Sequence, residues 1–97
     1  MKMKELPISE RPYEKMKMYG PQKLSNAELL AIIIKTGTKE ATALELASRI
    51  LLLTNELKDL ESISIETLEK IKGIGTIKAL QVKAVCELAK RMRLPVQ

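Results

Sequence analysis

Histidine, tryptophan and phenylalanine are missing from this 97-residue chain, and cysteine occurs once. Without histidine, and with Cys86 as the one thiol, none of the usual zinc ligand sets can be assembled. A lone cysteine also excludes an internal disulfide and fits a reducing, cytoplasmic setting. Cys86 shares a helix face with Ala79, Val82 and Ala89 and has no histidine to activate it, so it reads as core rather than as a nucleophile. The aromatic content is two tyrosines, so the core must be aliphatic, which suits packed helices better than a sheet. No stretch alternates with period two, and no strand is expected. Long apolar runs are lacking too. The longest, Leu29 to Ile34, is far too short to span a bilayer, and no apolar run follows the charged N-terminus as it would in a secretory signal. No membrane partner is expected. Acidic residues form no spaced pair on one predicted face near the glycine-containing turn at 73–75, so the chain is expected to be no enzyme and to need no resident cofactor.

What is present is aliphatic residues and charge. The length suits one small domain. The net charge of +5 is unevenly spread: residues 1–53 carry +3, residues 54–69 carry −4 and residues 70–97 carry +6. The C-terminal third is a basic pole, which favours a polyanionic partner there.

Residues 1–22 read as a polar arm followed by a short helix from Pro12 to Met18 or Tyr19. Gly20-Pro21 stops that helix. Tyr13, Met16 and Tyr19 are expected to face the core, with Arg11, Lys15 and Lys17 exposed. Ser25-Asn26-Ala27-Glu28 fits a capping box that opens a helix over about 26–35. That helix is apolar almost all round and must be covered on several sides. The turn Lys35 to Glu40 leads to a helix over about 41–53, with Ala43, Leu44, Ala47, Ile50 and Leu51 buried. Thr54 to Ser64 is an acidic connector pinned by Leu57, Leu60 and Ile63. Ser64 caps a helix that runs to Lys72. The last helix, Thr76 to about Arg93, shows two apolar stripes. The large one, Ile77, Leu80, Ala84, Val85, Leu88 and Met92, is expected in the core. The small-residue one is Ala79, Val82, Cys86 and Ala89. Residues 94–97 read as the start of a linker.

The chain is organised around Ile71-Lys72-Gly73-Ile74-Gly75-Thr76-Ile77-Lys78. Two glycines permit a tight turn with φ > 0, and Ile74 between them anchors it. The first amides of the following helix have no intrahelical acceptor and lie at the positive end of its dipole. With no side chain at Gly73 or Gly75 to block approach, that is a place for a phosphate-sized anion. The stretch from about Ile65 to Val85 resembles the helix-hairpin-helix motif of DNA-binding proteins. The residues expected to touch DNA are Lys72, Gly73, Gly75, Thr76, Ile77 and Lys78. The resemblance also implies that hairpin carbonyls can hold a monovalent cation against a phosphate. Residues 23–53, with Gly37 in their turn, repeat the logic of residues 54–93 in degenerate form. The expected fold is therefore a small all-α bundle of five helices, two pseudo-repeated helix-hairpin-helix units in a tandem, SAM-like arrangement.

A wider resemblance covers residues 5 to 93. Glu10-Arg11-Pro12-Tyr13, Leu24-Ser25-Asn26-Ala27-Glu28-Leu29-Leu30-Ala31, Thr36-Gly37-Thr38 and the hairpin together are similar to the N-terminal region of the bacterial RadC family. That resemblance implies a DNA-repair protein whose helical N-terminal domain binds DNA, branched or damaged forms among the candidates. It also implies a C-terminal domain similar to zinc-dependent metallopeptidases, of which these residues carry no part. The competing expectation is a protein-interaction module that docks that domain or a repair or replication partner. The feature favouring it is the arm and first helix, with methionines at 1, 3 and 18.

Overall fold

A computed structural model describes residues 11–93. Five α-helices follow one another: α1 (Pro12–Tyr19), α2 (Asn26–Ile34), α3 (Ala43–Leu53), α4 (Ile65–Glu69) and α5 (Thr76–Arg93). A 3-10 turn, Pro21–Lys23, joins α1 to α2, and no strand occurs among the described residues. The all-helical bundle read from the sequence is the fold observed. The N-terminal arm with Met1 and Met3, and the linker at 94–97, lie outside the described residues.

Polar side chains fix where three helices begin. Ser25 Oγ accepts from the Glu28 amide at 3.1 Å, and Glu28 Oε1 accepts from the Ser25 amide at 2.8 Å. Thr42 and Glu45 form a second capping box at α3 that the sequence reading did not register. Ser64 caps α4 through the Thr67 amide. Ser25→Ala and Thr42→Ala should each cost about 1 kcal/mol, read from urea midpoints at unchanged m-value.

The core lies between α2 and α3 and is closed by α4 and α5. Leu30, Ala31 and Ile34 of α2 meet Leu46, Ala47 and Ile50 of α3, and Leu68, Ile74, Ala79 and Val82 complete the cluster. Leu46, which the expected stripe omitted, is fully buried, whereas Leu44 is only half-buried. Thr54 is the one buried polar side chain among the described residues; its hydroxyl donates to the Ile50 and Glu56 carbonyls and closes α3. In the connector Leu60 is buried, but Leu57 points to solvent.

The α1 expectations need correction. Tyr13 and Tyr19 are half exposed, and Pro12 is the buried residue of this helix. The helix is peripheral: Tyr13 holds α2 by donating its hydroxyl to the Ile32 carbonyl at 3.2 Å. Lys15 is not a free surface charge, because its ammonium lies 3.1 Å from Glu28 Oε2. Burial of Glu28 pushes its carboxyl pKa up, but the Ser25 amide and hydroxyl and the Lys15 ammonium outweigh this and hold it below the ordinary value. A depressed carboxyl stabilises the fold above its unfolded pKa of about 4.3, and that contribution is lost as pH falls through the folded value. The stability advantage of the native chain over Glu28→Gln should therefore be constant near neutrality, begin to shrink as pH falls past the unfolded value of about 4.3, and be lost only below the folded value, measured by thermal melts.

The largest correction concerns α5. Ala79, Val82 and Cys86 face the core, and the large stripe faces solvent except for half-buried Val85. Small side chains allow α5 to lie close against α2 and α4, and the larger ones would hold it off. Cys86 donates its thiol to the Leu60 carbonyl, and burial raises the thiol pKa.

Candidate nucleic-acid interface

The hairpin is built by short backbone bonds. The Ile71 amide donates to Leu68 O, so α4 ends at Glu69 rather than running on to Lys72. The Ile74 amide donates to Ile71 O at 2.9 Å, closing the turn, and Ile74 is buried beneath it. Gly73 has φ +94°. Gly75 does not adopt positive φ, so only one of the two glycines is required by the turn's backbone.

The glycines divide by what surrounds them. A Cβ at Gly73 would lie 2.5 Å from Leu46 Cδ2, and one at Gly37 would lie 2.1 Å from the Ala41 carbonyl oxygen. Both positions exclude a side chain for reasons internal to the fold. A Cβ at Gly75 would meet nothing within 4 Å. Gly73 thus faces inward, contrary to the expectation that both glycines open the approach.

Gly75 is the N-cap of α5, since the Ala79 amide donates to Gly75 O at 3.1 Å. Unlike α2, α3 and α4, α5 receives no side-chain cap among the described residues. The amides of Thr76, Ile77 and Lys78 have no acceptor there, and Gly75, Thr76 and Ile77 are all exposed. Eighteen residues of α5 end in this bare, electropositive turn.

The side chains around it are partly committed. The Thr76 hydroxyl donates to Glu69 Oε2, so it is not the free donor expected, and Glu69 places a carboxylate at the rim. Lys72 is exposed. Its carbonyl, one of those expected to be available to a monovalent cation, already accepts from Arg49 Nη1 at 2.8 Å. Lys78 is half-buried and reaches Thr36 Oγ1 at 3.2 Å. The Gly37 turn is thereby brought beside the hairpin. It is held taut: Lys35 has φ 69° and ψ −55°, and the Thr36 amide donates to Ile34 O across it. Such a conformation costs on the order of 1–3 kcal/mol in a non-glycine residue.

Arg49 and Thr36 are the neighbours that the sequence reading missed. Each is distant in the chain from the residue it meets, and no local pattern reports which way α3 is rotated toward the hairpin. Among the described residues no group of His, Cys, Asp and Glu could hold a metal ion, and no helix is long and apolar enough to cross a membrane.

The fold and hairpin define a small all-helical domain that presents an uncapped helix terminus. The model of the UPF0758 N-terminal family matches residues 3–80, and the chain belongs to that family. It is 52% identical over 93 residues to a UPF0758 protein of Alkaliphilus metalliredigens, covering 95% of this chain and 40% of the relative. A UPF0758 protein of Alkaliphilus oremlandii is 52% identical over 95 residues, covering 97% and 41%. One of Clostridium botulinum is 50% identical over 92 residues, covering 95% and 40%. The chain therefore spans about 40% of the length of these relatives. No solved structure matches.

Proposed function

We propose that this domain is a non-enzymatic DNA-binding module of a RadC-like DNA-repair protein in the cytoplasm, gripping the phosphate backbone at the N-terminus of α5 in the manner of a helix-hairpin-helix motif. The observation that carries the proposal is Gly75. It lacks a side chain where the fold would accommodate one, and it stands directly before three amides without acceptors. A phosphate oxygen supplies what those amides lack, and the absent Cβ permits close approach. Lys72 and Lys78 add attraction and counterion release, and Arg49 fixes positive charge at the hairpin carbonyl. Glu69 works against an anion, so the grip is weak. Affinity of the isolated domain should be about 10⁻⁴–10⁻⁶ M at physiological salt, with little dependence on sequence.

Two phosphate-facing lysines set the salt dependence. Replacing Lys72 and Lys78 by Gln should reduce the slope of log affinity against log salt by up to about 1.8 on duplex DNA. Fluorescence anisotropy at several salt concentrations measures it, and an unchanged slope would remove both lysines from the contact.

A further inference from the structure

The outward face of α5 is a second feature without an explanation inside the fold. Ile77, Leu80, Leu88 and Met92 are 68%, 44%, 59% and 79% exposed, and Ala84 between them is exposed as well. At about 100° per residue these five fall on one stripe, opposite Ala79, Val82 and Cys86 in the core. The stripe runs about 22 Å along the helix, at 1.5 Å per residue. Arg91 lies within it and is paired with Glu87 at 3.0 Å, whereas Lys90 stands one turn after Cys86 on the opposite side of the helix. A monomer's helix ordinarily turns such residues inward.

Its size narrows what covers it. Five such side chains offer on the order of 500 Å², large for the open patch of a soluble monomer but short of the ~800 Å² per partner of a stable free complex. A face of that size is covered stably when its partner is tethered, because a short link supplies an effective concentration of about millimolar. The relatives provide a tether. This chain spans 40% of their length, and the matched family model is an N-terminal one, so in them further chain follows α5.

We propose that the α5 stripe from Ile77 to Met92 is the seat, in cis, of the segment that follows this domain in the longer UPF0758 proteins. That segment presents an apolar ridge complementary to the stripe. Docking there places the following domain beside the hairpin, since Ile77 belongs to both surfaces. The inference is independent of DNA binding.

The test compares the 97-residue chain with a fusion in which it replaces the matched part of the Alkaliphilus metalliredigens protein. Leu88→Glu is introduced into both. In the 97-residue chain the exposed substitution should leave the melting temperature and circular dichroism unchanged. In the fusion it should accelerate limited proteolysis between α5 and the remainder by at least about tenfold, because the buried charge shifts the tethered pair toward the undocked state. Equal cleavage rates with and without the substitution would overturn the proposal. So would concentration-dependent dimerisation of the 97-residue chain that Leu88→Glu abolishes, which would assign the stripe to a second copy. If the fusion fails to fold, amide hydrogen exchange of the intact Alkaliphilus metalliredigens protein decides. Amides of its helix matching α5 should exchange at least tenfold more slowly than the same helix in the isolated matched part, and equal rates would overturn the proposal.

Discussion

Gly75→Asp is expected to make the domain more stable and to remove the proposed DNA contact. An aspartate at an N-cap accepts from the amides two and three residues on, and it gains by roughly 0.5–1 kcal/mol over an uncapped terminus. Gly75 has open space for the side chain and no positive φ to forbid it. The same carboxylate would occupy the donors offered to phosphate and place a negative charge where DNA must come. Affinity should fall at least tenfold, equivalent to about 1.4 kcal/mol. The two effects have opposite signs, so loss of fold cannot be mistaken for loss of contact. A chain that melts higher and binds DNA as before would separate the bare helix terminus from DNA binding.

Gly37→Ala is expected to have the largest effect on stability. Its Cβ would stand 2.1 Å from the Ala41 carbonyl oxygen and 2.8 Å from Thr42 backbone atoms, none of them a flexible side-chain end. The turn cannot open without breaking the bond from the Thr38 amide to Ala41 O and moving the Thr42 cap of α3. A loss of about 3 kcal/mol or more follows, a large fraction of the 5–15 kcal/mol typical of a domain. Gly73→Ala should cost less, about 2–3 kcal/mol, because the atom it meets is the end of the Leu46 side chain, although its φ of +94° adds strain. Urea unfolding ranks the three variants as Gly37→Ala, then Gly73→Ala, with Gly75→Asp above the native chain.

These contrasts mark how far the sequence could be read. Helix positions were legible because their signals are local: Ser25 and Ser64 as caps, Gly20-Pro21 as a stop, the apolar run of α2. The hairpin was legible for the same reason. The orientation of α5 was not. Both of its faces are apolar, so periodicity identifies a helix without saying which face is inside. The choice rests on how near α2 and α4 come, and that favours Ala79, Val82 and Cys86 over the larger residues. The roles of the glycines were likewise invisible. Gly73 and Gly75 look alike in the chain, yet one faces Leu46 and the other faces solvent. Arg49 at the Lys72 carbonyl and Glu69 at the Thr76 hydroxyl are consequences of packing and of the early end of α4. The second capping box, Thr42 with Glu45, had a local signal and could have been found.

The most direct measurement follows the backbone amides of the folded domain by nuclear magnetic resonance while a short duplex is added at low salt. The amides of Thr76, Ile77 and Lys78 should shift first and furthest, and should return toward their starting positions as salt is raised. If they stay in place while DNA binds elsewhere on the domain, or while no residue responds at all, the uncapped start of α5 is not a phosphate site.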